Sequence, residues 1–336
     1  MAAYQYNLPT GSVMYRRLLS PLCDAIVEHA MPRWVRPNAL TSMSLLCVTG
    51  NFLMVRDHAR GDLLQLSDAQ CYGIAGAVHM LYCLLDNTDG KQARRTRRSS
   101  AAGEYLDHAV DSLAASLTAM YAGYSLVPRD ADGAGARFLE ALTPRAVVVW
   151  HVGTLLLHWH HQLSGCLLLG VSKWLTVDEI NFILVPSLCW LRAGGLLDAL
   201  HRSVPLYQLS CLAACAGMAL ADTKIFKLGL AAMRAQSPRD ARLLRPLAVL
   251  ALHCPLALAQ SSGFVSSLAF SITCSAYLVA QRLAVPMWLW ASGVLLLLPP
   301  LLLDEAWTGW LEAVYLLLFV LQLRVTADRL IARSAR

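Results

Sequence analysis

Apolar residues fill this chain in long blocks, divided by short polar or charged stretches. Ten blocks stand out, at roughly 39–55, 70–85, 103–126, 146–170, 179–197, 206–223, 246–261, 263–281, 285–303 and 310–323. A helix needs about 20 mostly apolar residues to cross a bilayer. No period-two alternation runs long enough to suggest a β-barrel. The pattern predicts an all-α, polytopic integral membrane protein with about ten transmembrane helices. The fifth and sixth blocks are the least regular, because Arg192 interrupts the first of them and Asp198 closely follows it. Residues 12–35 mix apolar side chains with Arg16, Arg17 and Arg33, which predicts an N-terminal amphipathic interfacial helix. Met1–Pro9 hold no apolar run, so no cleaved signal peptide is expected. The division that follows is 1–38 as a cytoplasmic interfacial segment, 39–323 as one membrane domain and 324–336 as a cytoplasmic tail. The polar, Gly/Ala-rich stretch 127–145 reads as a mobile loop.

Composition sharpens this picture. Of 336 residues 57% are hydrophobic and only 15% charged, too apolar for an ordinary soluble domain. Charge then orients the spans. The segments 1–38, 87–102 and 224–245 are strongly basic, and the tail adds Arg324, Arg329, Arg333 and Arg336. The segments 56–69 and 304–309 carry Asp57, Asp62, Asp68, Asp304 and Glu305. With ten spans the basic segments share one side, which the positive-inside rule makes cytoplasmic. The stretch 127–145, with Arg129, Arg137 and Arg145, is a mild exception. The net charge of +6 is thus mostly a topology signal, and no nucleic-acid partner is expected. Ten cysteines are scattered without any C-x-x-C and read as small packing residues.

The chemistry concentrates in residues 86–111. Asp86 and Asp89 are three apart, and Asp107 and Asp111 are four apart. On a helix each pair shares one face. Two such faces brought together make a four-carboxylate cage suited to a hard divalent cation such as Mg²⁺. Between the pairs lie Gly90 and the cations Lys91, Arg94, Arg95, Arg97 and Arg98, features expected around phosphate groups. Carboxylates beside a membrane are costly and usually functional.

The spacing Asp-x2-Asp-Gly-x2-Ala-Arg-x8-Gly-x3-Asp-x3-Asp is met by Asp86, Asp89, Gly90, Ala93, Arg94, Gly103, Asp107 and Asp111. It resembles the signature of the CDP-alcohol phosphatidyltransferase family. Asp89–Thr96, Gly103–Ser112 and the run Pro37-Asn38-Ala39-Leu40-Thr41 are similar to the eukaryotic choline and ethanolamine phosphotransferase branch. So are Trp159, Ser164, Gly165, Thr176 and Glu179. Arg97 and Ala101 depart from that branch, as does the Asn-Thr pair between the first two aspartates.

The resemblance implies two Mg²⁺ (or Mn²⁺) ions on Asp86, Asp89, Asp107 and Asp111, bridging protein to pyrophosphate. Gly90 would let the ligand approach the backbone, and Arg94 would bind phosphate oxygens with its planar fork. Asn38 would contact the CDP-alcohol. His108 is the expected proton acceptor for a lipid hydroxyl, with Glu104 one turn before it to orient the imidazole. Asp111 is the rival base, and His108 could instead only brace Asp107 or Asp111. The expected reaction moves phosphocholine or phosphoethanolamine from CDP-choline or CDP-ethanolamine to diacylglycerol or an alkyl-acyl analogue, releasing CMP. The resemblance also implies a homodimer in the endoplasmic reticulum or a related endomembrane, with the site facing the cytoplasm. The alternatives are a phosphatidyltransferase using CDP-diacylglycerol and a soluble alcohol such as inositol, and a metal-dependent transporter. His158, His160 and His161 read as lining a polar cavity or pairing with another span, because consecutive residues on a helix point apart.

Overall fold

The computed structural model describes residues 12–61, 63–127, 134–164, 167–168, 176–201, 206–236, 245–260, 262–283, 292–303 and 305–334. Among the described residues the chain is helical, with no strand. Residues 285–291, part of the stretch 285–303 read from sequence as a span, and residues 128–133, read as part of a mobile loop, lie outside them, while the described 292–303 form short turns and not one long helix.

The first helix, α1, is built of Tyr15–Leu19, Ser20–Ala25 and Ile26–Ala30 in succession. α2 (Pro37–Arg60) starts on a proline, whose fixed φ and missing N–H suit a first turn. It stops at Gly61, whose φ of 74° is a left-handed conformation open to glycine at little cost. α3 (Asp68–Arg95) opens with a reciprocal cap: Ser67 Oγ accepts from the Gln70 N–H, and Gln70 Oε1 accepts from the Ser67 N–H. α4 (Ala101–Leu126) begins where Ser100 Oγ accepts from the Gly103 N–H. The five residues between α3 and α4 are short enough to make the two an antiparallel hairpin.

Next comes α5 (Ala134–Ser164), then α6, running through Val177–Glu179, Ile180–Leu184 and Val185–Ala193. Thr176 and Glu179 cap the start of α6 reciprocally. α7 (Leu196–His201), α8 (Leu206–Gln236), α9 (Arg245–Leu258) and α10 (Gly263–Leu283) follow. After the short turns Ser292–Leu297 and Pro299–Leu302, the last helix is α11 (Thr308–Ser334). α2 and α11 are long and apolar enough to cross a membrane by length and composition.

Among the described residues, two large apolar clusters and a small third one hold the bundle. The larger joins α2, α3, α4, α6, α10 and α11 through Phe52, Tyr82, Leu113, Leu117, Tyr121, Cys189, Leu268 and Phe319. The second joins α5, α8, α9 and α10 through Leu155, Trp159, Ile225, Val249 and Phe270. Close approach is set by small residues. A Cβ on Gly229 of α8 would fall 2.4 Å from the Trp159 ring, and one on Gly76 of α3 would fall 2.4 Å from the Trp190 indole. None of the described cysteines is in a disulfide.

Polar ties mark the two ends of the bundle. At one end Thr41 of α2 donates to Asp89 of α3. At the other, His58 of α2 lies 2.8 Å from Asp68 of α3, and Arg192 of α6 reaches Asp68 at 3.0 Å and Asp198 at 2.7 Å. The Arg192 guanidinium also lies over the Tyr72 ring, 5.5 Å from its centroid. α2 and α3 are therefore antiparallel over their whole length, with the Asp89 end and the Asp68 end about a bilayer apart.

Candidate active site

The α3–α4 hairpin brings the four aspartates together. Asp86 and Asp89 lie near the last turns of α3, and Asp107 and Asp111 in the first turns of α4. Asp86 and Asp111 are close enough to feel each other's charge, and Asp107 feels the charges of Asp89, Asp111 and Asp86. Ligand atoms from Asp107, His108 and Asp111 lie within 4.8 Å of one another. Asp89 is buried and held by Thr41, itself buried. Thr41 belongs to the Pro-Asn-x-x-Thr run, and its role as a partner of the second aspartate is a contact that spacing alone could not show.

Four carboxylates packed this closely repel one another, and the remedy is a countercharge. The four carboxylates offer hard oxygen donors, which fit Mg²⁺ or Mn²⁺ better than a soft metal, and His108 adds one nitrogen at the edge of the group. The residues present thus fit a divalent ion.

The remaining site residues surround this cluster. Asn38, at the start of α2, lies against α4: a Cβ on Gly103 would come 3.4 Å from Asn38 Oδ1 and 3.3 Å from Ser100 Oγ. A side chain at 103 would press on both groups, which would have to give by a few tenths of an ångström. Arg94 lies beside Gly90, with Nη1 3.6 Å from where a Cβ would be. His108 is buried, with Nε2 3.9 Å from Glu104 Oε1 and Nδ1 3.9 Å from Asp111 Oδ2. Both separations exceed hydrogen-bond length, so these carboxylates act on the imidazole through their fields.

Residues 34–168 match the family model described as CDP-alcohol phosphatidyltransferase. The chain carries a CDP-alcohol phosphatidyltransferase domain. All eight positions of the motif lie inside the match. Among curated proteins, the chain is 30% identical over 185 residues to an uncharacterised CDP-alcohol phosphatidyltransferase class-I family protein 2 of Dictyostelium discoideum, covering 55% of this chain and 42% of that one. It is 26% identical over 190 residues to ethanolaminephosphotransferase 1 of Homo sapiens (54% and 46%) and 36% identical over 105 residues to cholinephosphotransferase 1 of Gallus gallus (31% and 30%). The chain spans less than half the length of these relatives.

Three features in and around the phosphatidyltransferase domain escape a reading by spacing. First, the basic run after Asp89 divides by role. Lys91 Nζ donates to Ser20 Oγ at 2.8 Å and pairs with Asp24 at 2.7 Å. Arg95 donates to the Met31 and Glu28 carbonyls, and the buried Gln92 amide to those of Pro32 and Val35. These three residues dock the N-terminal segment on the end of α3 and leave Arg94 beside Gly90. Second, Asp178 is buried next to its cap residue Thr176 and within electrostatic reach of Asp86 and Tyr15. Burial pushes the Asp178 carboxyl up to about 6, against the hydrogen bond from Thr176. Third, His158 and His161 of α5 pack on His108, with ring centroids 5.3 Å and 6.1 Å away. Their three-residue spacing, one helical face, was the available signal.

Proposed function

We propose that this protein transfers phosphocholine or phosphoethanolamine from a CDP-alcohol to the free hydroxyl of diacylglycerol or an alkyl-acyl analogue, yielding a phospholipid and CMP. The observation that carries the reading is the meeting, at the α3–α4 hairpin, of four carboxylates, Gly90 with Arg94, and the buried imidazole of His108. The human and chicken relatives, named as an ethanolaminephosphotransferase and a cholinephosphotransferase, support the same class of reaction.

Asp86, Asp89, Asp107 and Asp111 would hold two Mg²⁺ or Mn²⁺ ions, which when bound neutralise pyrophosphate and stabilise charge on the departing CMP. The chain's own groups supply the rest. Arg94 binds phosphate oxygens, and Gly90 leaves the backbone open to them. Asn38, held against Gly103, contacts the CDP-alcohol. His108 takes the hydroxyl proton of the acceptor, within the fields of Glu104 and Asp111, and the freed oxygen attacks the β-phosphorus. Burial of His108 keeps bulk water from competing as acceptor.

The proposed setting is a ten-span protein of an endomembrane such as the endoplasmic reticulum, working as a homodimer, with the site on the cytoplasmic side. In its support, the basic residues Arg94, Arg95, Arg97 and Arg98 adjoin the aspartate cluster, whereas Asp57 and Asp68 lie at the opposite end of the α2–α3 pair. α1, docked beside the cluster, would lie on the cytoplasmic leaflet.

The deciding assay uses purified protein with labelled CDP-choline and CDP-ethanolamine in competition and diacylglycerol as acceptor. Metal-dependent release of CMP with label in phospholipid is expected. Product formed only from CDP-diacylglycerol and a soluble alcohol would overturn the reading.

A further inference from the structure

His158 lies on α5 with its ring edge-to-face on His108, 5.3 Å between centroids. It is 5% exposed, and its Nδ1 is buried with no hydrogen-bond partner among the described residues. Such atoms are rare, because a buried polar group without a partner forfeits its hydration. Leu155, Leu156, Trp159 and Leu163 of the same helix are buried in the second cluster. An open ring nitrogen beside the base is best satisfied by the molecule on which the base acts.

We infer that His158 is an acceptor-binding residue whose Nδ1–H donates to the hydroxyl oxygen of the lipid acceptor while that hydroxyl points its proton at His108. The inference rests on the transfer reading above and adds what holds the nucleophile. Two hydrogen bonds of about 3 Å meeting at one oxygen can span imidazoles this close. The hydroxyl oxygen has two lone pairs. One accepts from His158 and the other forms the new bond to the β-phosphorus. The hydroxyl proton passes to His108, the bond from phosphorus to the CMP oxygen breaks, and CMP keeps that electron pair. A hydroxyl fixed by two imidazoles has its attacking lone pair aimed, which is where orientation contributes to rate.

The test compares His158→Phe, His158→Asn and His158→Gln in purified protein. Two quantities are read: KM for diacylglycerol, and retention of labelled CDP-choline or CDP-ethanolamine without lipid. Phe keeps a ring of similar size and has no N–H. Asn places an amide N–H where Nδ1 was, and Gln places one where Nε2 was. The phenylalanine variant should raise the acceptor KM about tenfold, the worth of one hydrogen bond, with nucleotide retention unchanged. Asn should recover most of the loss and Gln little. An active His158→Phe enzyme with unchanged acceptor KM overturns the inference. So does Gln recovering as well as Asn, a comparison that stands even if the phenylalanine variant does not fold. A wild-type protein that makes no lipid product overturns the transfer reading itself.

Discussion

Asp107 and His108 are adjacent in sequence, yet their proposed roles differ, and substitution should separate them. Asp107→Ala removes a carboxylate from a cage that must neutralise pyrophosphate, so turnover should nearly vanish while the protein still inserts and purifies. CMP release at the normal rate from folded Asp107→Ala would refute the metal role. His108→Ala should slow the chemical step by about 10²–10⁴-fold and leave CDP-alcohol binding close to normal. Near-normal turnover at saturating lipid from pH 6 to 9 would transfer the role of base to Asp111, whose carboxylate lies 3.9 Å from the ring. Thr41 offers a gentler probe. Its hydroxyl is the described partner of buried Asp89, so Thr41→Val should weaken metal affinity more than it weakens folding, read as a higher metal concentration for half-maximal activity.

At the scale of elements, the end of α3 does two jobs on alternating faces. Asp86, Asp89 and Gly90 serve the site. Lys91, Gln92 and Arg95 grip α1 and the segment leading into α2. Gln92 is fully buried and satisfies two carbonyls at 3.0 Å each, which would otherwise be stranded. Gln92→Leu should therefore cost about 1–3 kcal/mol and expose residues 31–36 to proteolysis. Cleavage kinetics identical to wild type would show that the clamp is not needed to hold the segment. The α5–α8 pair is as strict. Gly229 faces the buried Trp159 ring at a distance no Cβ tolerates, and Gly229→Ala should lower the thermal midpoint by several degrees through overpacking.

Across the whole molecule, the aspartate cluster at one end is balanced by the Asp68–Arg192–Asp198 knot at the other. Burial raises the Asp68 carboxyl, but the hydrogen bond to His58 and the Arg192 charge outweigh it and hold the group below its ordinary value. A depressed carboxylate contributes stability above its unfolded value, near 3.9, and loses it as pH falls through the folded value. Asp68→Asn should thus have a lower thermal midpoint than wild type at pH 7, and the gap should close toward pH 3. A gap independent of pH would show that the Asp68 charge is not what stabilises this end. Topology is tested on the same scale. Cysteines placed at 95–100 should label from the cytoplasm, and those at 57–62 only from the lumen. Lumenal labelling at 95–100 would invert the proposed orientation.

Much of this was legible in the chain itself. Long apolar blocks can only satisfy their backbone as helices, so an all-α architecture follows from local composition. The eight positions from Asp86 to Asp111 also act locally, since a hairpin of two helices joins them without help from distant residues. Other features depend on which helix lies beside which, and no periodicity encodes that. Thr41 meets Asp89 across 48 positions, Gln92 meets Pro32 across 60, and His158 reaches His108 from another helix. The histidine run on α5 looked ambiguous for the same reason: its spacing shows that His158 and His161 share a face, and only packing shows that the face belongs to α4. The basic run after Asp89 has one sign of charge throughout, so only tertiary contacts could divide it into residues that grip α1 and an arginine left beside Gly90. Sequence sets the identity of the reactive groups and the helices that carry them. Helix pairing, governed by the shape of side chains far apart in the chain, decides their partners.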